Sequence, residues 1–230
     1  MRFITTLLIA SFALAGCQSV RSSSVSTQHM RADITVTSHG GSTVEVNAEL
    51  RHEDSSLVFV DLEHGERLIA SSSAYTTELT AGFYDYRAEL PIVNSYDLIS
   101  VGLDRDRGVD APCSVVELPE PFRLYPNAGV FSLSEDVIPV EWDRLSDDEM
   151  EISITGQCIA QRTVHLSRFN DQGVWLIQPG ALSPRLSWEG DLCPLEITVK
   201  RSRKGQLDGG FSHGEIEAHQ IRSMDVLVTL

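Results

Sequence analysis

From residue 32 to the C-terminus, apolar residues recur at every second position. The alternation is clearest over residues 44–50, 150–154, 195–199 and 226–230. A period of two places apolar side chains on one face of a β-strand, whereas an amphipathic helix requires a period of 3.6. No stretch of the sequence carries a convincing 3.6-residue stripe. The sequence therefore predicts an all-β protein.

The strand pattern occurs twice, with a break between the two occurrences. The break reads Leu118-Pro119-Glu120-Pro121-Phe122, and its two prolines lack an N–H for a ladder and favour extended backbone. Short strands separated by regular turns are typical of a β-sandwich. We therefore predict a β-sandwich domain over residues 32–118, a stiff linker over 119–121 and a second β-sandwich domain over 122–230. Turn residues at 63–66 and 170–173 further predict two hairpins.

A short motif suggests the type of sandwich. Leu79, Gly82 and Tyr84 precede an alternating strand, and this spacing resembles the corner of immunoglobulin-like sandwiches where a tyrosine hydroxyl satisfies nearby backbone groups. Both halves resemble the immunoglobulin-like or fibronectin-III-like modules of cell-envelope proteins. The resemblance implies two tandem immunoglobulin-like β-sandwich domains, but it assigns no activity, because such folds host many functions.

The N-terminus has the features of an export signal. A basic start at Arg2 is followed by an apolar run of about a dozen residues, which is too short to span a bilayer. The run ends in Leu14-Ala15-Gly16-Cys17, which resembles the lipobox of bacterial lipoproteins. The resemblance implies that residues 1–16 are a signal peptide, cleaved before Cys17, and that Cys17 is lipidated. The alternative is an ordinary secretory signal with an accidental cysteine.

The residues around the cleavage point also suggest a location. Gln18 stands where the inner-membrane retention signal of this family typically has Asp, so the resemblance favours the outer membrane of a Gram-negative bacterium. The stretch up to residue 31 is rich in serine, and we interpret residues 17–31 as the lipidated N-terminus and a flexible tether. Such a tether would lift the folded part off the bilayer, with the second domain outermost.

The charge balance restricts the partners. The 230 residues include 18 basic and 33 acidic side chains, for a net charge of −15. Nucleic acid is excluded as a partner on this basis, because phosphate binding requires a clustered basic footprint. The anchoring membrane and another envelope protein or a glycan are the expected partners.

Three cysteines remain after Cys17, and an exported protein occupies a compartment where disulfides persist. Cys193 shares the parity of the apolar residues 195–199, and Cys158 shares that of residues 150–154. We therefore predict a Cys158–Cys193 disulfide in the second domain and a free Cys113. The alternative is three reduced thiols.

One row of polar residues could ligate a metal. His213, Glu215, Glu217 and His219 are spaced by two, so a strand would project them from one face. Imidazole and carboxylate are ligands that zinc and copper accept. The competing interpretation is an ordinary solvent face, because the complete row is too long for one ion.

Other stretches suggest weaker sites. Trp175 and Trp188 could form a sugar-stacking or protein-binding platform if exposed, or could be buried in the sandwich. Residues 200–204 form a basic patch, interpreted as a solubilising hairpin tip or a contact for an anionic ligand. Residues 104–110 form an acidic loop, interpreted as a charged turn rather than a calcium loop.

The sequence contains no GxSxG elbow, SxxK, P-loop, HExxH or dinucleotide fingerprint. We therefore expect a non-enzymatic structural or binding module of the cell envelope, with no cofactor besides the covalent lipid on Cys17. The alternatives are a metal-dependent envelope protein using the His213 to His219 row and a carbohydrate-binding module using exposed tryptophan.

Overall fold

A computed structural model describes residues 18–55, 57–63, 65–126, 129–143, 145–166, 171–185 and 188–230. These residues form an all-β structure, which confirms the predicted fold class. Two short 3-10 turns, Ser22–Ser24 and Thr27–His29, are the helical elements of this part of the chain. Its helices are too short to cross a membrane. The predicted signal peptide (1–16) and lipidation residue Cys17 lie outside the described residues.

The strands up to the proline-containing break are β1 (Gln18–Arg21), β2 (Met30–Ser38), β3 (Thr43–His52), β4 (Val58–Asp61), β5 (Arg67–Ser71), β6 (Thr76–Glu78), β7 (Thr80–Ala81), β8 (Tyr86–Pro91), β9 (Leu98–Asp104) and β10 (Ala111–Glu117). The strands after it are β11 (Leu124–Tyr125), β12 (Val130–Ser132), β13 (Ile138–Trp142), β14 (Glu149–Gly156), β15 (Arg162–Leu166), β16 (Val174–Ile177), β17 (Cys193–Lys204) and β18 (His213–Thr229).

The first core lies between two sheets. Strand β3 pairs with β2 on one side and with β8 and β4 on the other. The second sheet has the order β10-β9-β5-β6. Both sheets contribute buried apolar residues to one cluster, such as Val46 and Ala48 from β3 and Ile99, Val101 and Leu103 from β9. The alternation in the sequence is thus the inward face of each strand.

The second core is built in the same way. Strand β14 pairs with β15 and β17, and β17 continues to β18. A separate sheet has the order β11-β13-β16. Ile152 and Ile154 of β14 meet Val140 of β13 in one cluster. The predicted disulfide is present, because Cys158 and Cys193 are bonded and fully buried in this core. Cys113 is free and exposed.

The long strand β18 belongs to both cores, which the predicted domain boundaries did not anticipate. Residues 213–220 of β18 pair in parallel with β2, and its later residues pair only with second-half strands. Ile216 and Ala218 lie in the first core, and Val226 and Val228 lie in the second. A division at residues 119–121 therefore does not describe the packing: the C-terminal strand returns to complete the first sandwich and connects both halves into one sheet.

The predicted linker is also not a free spacer. Pro119 and Phe122 are buried, and the amide of Leu118 donates to the carbonyl of Asp97. Leu118 packs in the first core and Phe122 in the second, so the segment between them is fixed at both ends.

The prediction of a flexible tether over residues 17–31 is wrong for its described part, residues 18–31. Strand β1 pairs in parallel with β4, and Val25 and Met30 are buried in the first core. The buried guanidinium of Arg105 holds the segment by donating to the carbonyls of Ser22 and Val25. A serine-rich composition indicated a solvated chain, but small hydroxyl-bearing residues also fit closely around a buried arginine.

Two turn predictions also need correction. The turns at 63–66 and 170–173 do not close hairpins, because β4 and β5 lie in different sheets, as do β15 and β16. His64 and Asn170 in these turns lie outside the described residues. A turn motif indicates that the chain reverses, but not which strand it will pair with.

Candidate functional site

The predicted metal row lies along the outer face of the first part of β18. His213 and Glu215 are exposed and Glu217 and His219 are half-buried, while the intervening Ile216 faces the core. The carboxylates already have a cationic partner: Lys204 Nζ lies 3.4 Å from Glu215 and 3.3 Å from Glu217. Among the described residues, no three histidine, cysteine or acidic side chains come close enough together to hold a metal ion.

His219 is the most enclosed member of the row. Its Nδ1 lies 2.9 Å from the hydroxyl of Ser202 on β17, and its Nε2 lies 4.0 Å from Glu217. Burial lowers the pKa of His219 below its ordinary value, and nearby Lys200 acts in the same direction, whereas Glu217 and Glu151 oppose them. The imidazole is thus held toward its neutral form.

An open groove of about 890 Å³ runs beside this row, over strands β14, β15 and β17. Its walls are charged and its cations have partners. Lys200 Nζ and His165 Nδ1 each lie 3.5 Å from Glu151, and Glu217 closes one side with Lys204. Exposed Asp147 and Glu149 and the apolar Met150 and Leu166 also line the groove. The lining therefore combines apolar surface with more carboxylates than lysines and arginines.

The floor of the groove is anchored by Asp148. Arg203 donates to both of its carboxylate oxygens, at 2.8 and 3.1 Å, and also lies 2.8 Å from Glu117 of β10. Burial alone would raise the pKa of Asp148, but hydrogen bonds from Arg203 and Ser146 outweigh it and hold the pKa below its ordinary value. Asp148 also accepts from the amide of Glu120 in the linker. The groove is therefore tied to the junction between the halves.

The junction contains a buried arginine that the sequence interpretation missed. Arg201 is fully buried, 3.2 Å from Asp171, and its guanidinium lies 4.7 Å from the ring centre of Phe122. It also donates to the carbonyl of Glu120. The interpretation of residues 200–204 as a solubilising hairpin tip is therefore wrong for Arg201. A usable signal existed, because Arg201 continues the parity of the buried residues Cys193 to Val199.

The two tryptophans proposed as a platform pack partly against the second core. Trp175 lies on β16, and Trp188 lies before β17 with its indole nitrogen buried and without a hydrogen-bond partner within the described part of the chain. Neither is among the strongly exposed apolar residues. The structure thus places them closer to the alternative interpretation, burial in the sandwich.

The acidic loop at residues 104–110 serves the fold. The Asp110 carboxylate accepts from the amide of Arg105, whose side chain is buried and lies 2.9 Å from Glu66. The interpretation as a charged turn thus missed a buried ion pair.

The expected tyrosine corner also has a different residue in its role: the hydroxyl of Tyr86, not Tyr84, accepts from the amide of Leu62 and donates to the carbonyl of Val60.

Comparison of the sequence with protein-family models and with curated proteins gives no match.

Proposed function

We propose that this chain is a lipid-anchored cell-envelope lipoprotein that acts as a non-enzymatic structural or binding module. The observation that carries the proposal is the Leu14-Ala15-Gly16-Cys17 motif at the end of a short apolar run. In support, Gln18 lies in strand β1, which pairs with β4 of the first half, so the residue at which cleavage and lipidation would occur is next in sequence to the folded body. Lipidation at Cys17 and the amino terminus would give stable anchoring, since one acyl chain alone is marginal.

The architecture supports a presenting or spacing role. Each core lies between sheets, and β18 connects both halves. In the first half, β2-β3-β8 face β10-β9-β5-β6, an order that supports assignment to the immunoglobulin-like or fibronectin-III-like class. Two sandwiches that share a strand form a stiff body that holds its far end at a fixed distance from an anchor.

The groove beside Lys200 and Glu151 is the surface that we assign to a partner. Its walls combine hydrogen-bonding charged groups with apolar side chains, a combination that favours a glycan or a polar segment of another envelope protein. It lies at the junction between the halves, with Glu217 on the part of β18 that pairs with β2 and Glu151 on β14.

The anchoring proposal is tested by Cys17→Ser in the full chain, expressed with its own leader in a Gram-negative host. The variant is expected to leave the outer-membrane fraction, because no sulfur remains to carry the lipid. Cys113→Ser is the matched control, since Cys113 is a free, exposed cysteine of the folded body, and this variant should remain with the membrane. A Cys17→Ser protein that still fractionates with the outer membrane would contradict the proposal.

A further inference from the structure

The first sandwich carries a cluster of three aromatic side chains in contact, Phe59, Phe83 and Tyr84, of which Phe83 and Tyr84 are exposed. Exposed Leu57 lies two positions before Phe59, and these four residues are here called the aromatic tip. Phe83 is 84% exposed and Leu57 64% exposed. The ring of Tyr84 stacks on Phe59 with centroids 4.5 Å apart, and Phe83 meets Tyr84 edge-on at 4.2 Å. Single exposed apolar residues are ordinary, but contiguous rings leave substantial apolar area in water, and such patches mark interaction sites.

The register of the strands places this surface beside the start of the fold. In the parallel pair β1–β4, Gln18 is opposite Val58 and Ser19 is opposite Phe59. The residue after Cys17 therefore lies one strand away from the aromatic tip. Both strands start at the same level, next to Leu57.

The same register shows which end of the molecule this is. Strand β18 runs from the first half at His213 to the second half at Thr229. The start of β18 lies beside the start of β2, since His213 is opposite Arg31. The end of β3 lies at the same level, since His52 is opposite Met30. Because Arg51 is opposite Phe59, the tip lies at the end of the first sandwich that points away from the second.

Two carboxylates close to the rings have arginine partners. Arg51 forms an ion pair with Glu49 and lies 5.0 Å from the ring centre of Phe59. At the turn that carries Phe83, Asp85 pairs with Arg87. Arginines thus compensate the carboxylates next to the rings, whereas the exposed carboxylate of Asp54, in the turn before Leu57, lies 3.8 Å from His52. Insertion of the tip would leave this carboxylate in the hydrated headgroup layer.

We propose that the aromatic tip inserts to the boundary between the headgroups and the acyl chains of the phospholipid bilayer that holds the lipid anchor. This inference rests on the proposed lipidation of Cys17, which would bring the bilayer to the strand beside Phe59. Aromatic side chains favour the membrane interface, where the ring is buried and polar neighbours stay hydrated. The tip would then fix the orientation of the body, with the second sandwich directed away from the membrane.

The test uses Phe83→Trp in the full, lipidated chain, reconstituted into phosphatidylcholine vesicles with or without bromine on the acyl chains. Bromine quenches tryptophan that reaches the bilayer. Trp142, Trp175 and Trp188 all lie in the second half and provide an unquenched internal background. Tyr75→Trp is the matched control, because Tyr75 is also exposed (49%) but lies at the opposite end of the first sandwich. Tyr75 follows the last residue of β5, Ser71, which is opposite Ser100 of β9. This is the end of the sandwich from which the chain leads to the linker.

The expected result is that brominated vesicles remove most of the added fluorescence of Phe83→Trp and leave Tyr75→Trp and the unmodified chain unchanged. Near-UV circular dichroism identical to that of the unmodified chain verifies that the variant is folded. Flotation with the vesicles but no quenching at residue 83 would overturn the inference while leaving the anchor intact, and the tip would then be a contact for a protein. Failure to float would instead contradict lipidation, and the inference with it.

Discussion

At the scale of single residues, Asp171 is the polar centre of the second half. Its carboxylate accepts from the indole nitrogen of Trp142 at 2.8 Å and from the amides of Ser146 and Gly173 at 3.1 Å. It also lies 3.2 Å from Arg201. Both charged side chains are excluded from water, so each depends on the other for compensation.

Replacing Asp171 with Ala should destabilise the protein by about 3–5 kcal/mol, because the variant leaves the Arg201 charge buried and uncompensated. Urea unfolding measures the change. Asp147→Ala removes an exposed carboxylate nearby and should alter the free energy of unfolding by less than about 0.5 kcal/mol. Equal stability of the two variants would show that the buried pair is not a structural requirement.

His219 should make stability depend on pH. Because burial lowers its folded-state pKa below the ordinary value of 6.5, the unfolded chain takes up this proton first as the pH falls. The neutral His219 side chain therefore makes its full contribution to the free energy of unfolding above pH 6.5, and this contribution is lost as the pH falls from there toward the folded-state pKa. His219→Gln should reduce the loss of stability between neutral pH and about pH 5, measured by urea unfolding. His165→Gln replaces an exposed histidine and should leave this loss of stability unchanged. The same dependence of stability on pH in the unmodified chain and in both variants would refute the assignment.

At the scale of elements, the strands follow from the sequence and their partners do not. Alternation identified the inward faces of β3, β14, β17 and β18. It did not reveal that β18 pairs with β2, because a period of two defines a face and not a neighbour. The burial of Arg201 was missed because its charge was given more weight than its position in the alternating pattern. The order of residues 18–31 was missed because Arg105, which binds their carbonyl groups, is distant in sequence.

Arg105 should control the order of the N-terminal segment. Arg105→Ala removes donors to the carbonyls of Ser22 and Val25, so amides of residues 18–29 are expected to exchange hydrogen faster. Hydrogen exchange with mass spectrometry measures this effect locally. Arg107→Ala changes an exposed arginine of the same loop and should leave the exchange unchanged. Protection of residues 18–29 in Arg105→Ala at the unmodified level would contradict the assigned role.

At the scale of the whole molecule, the shared strand should make unfolding cooperative. Leu103→Ala creates a cavity in the first core and should cost about 2–5 kcal/mol. All three tryptophans lie in the second half, so their fluorescence reports that half alone. We expect Leu103→Ala to lower the tryptophan-detected urea midpoint, and we expect the same of Ile152→Ala in the second core. An unchanged midpoint in Leu103→Ala would show that the halves unfold independently.

Two sandwiches that share a strand can present a partner surface from a membrane only if the chain is attached at Cys17, so the proposed anchor is the central claim. The most direct measurement is mass spectrometry of the N-terminal peptide from the mature, membrane-extracted protein. The account predicts a peptide that begins at Cys17 and carries diacylglycerol on the sulfur and an acyl chain on the amino group. A peptide that begins elsewhere, or an unmodified Cys17, would contradict it.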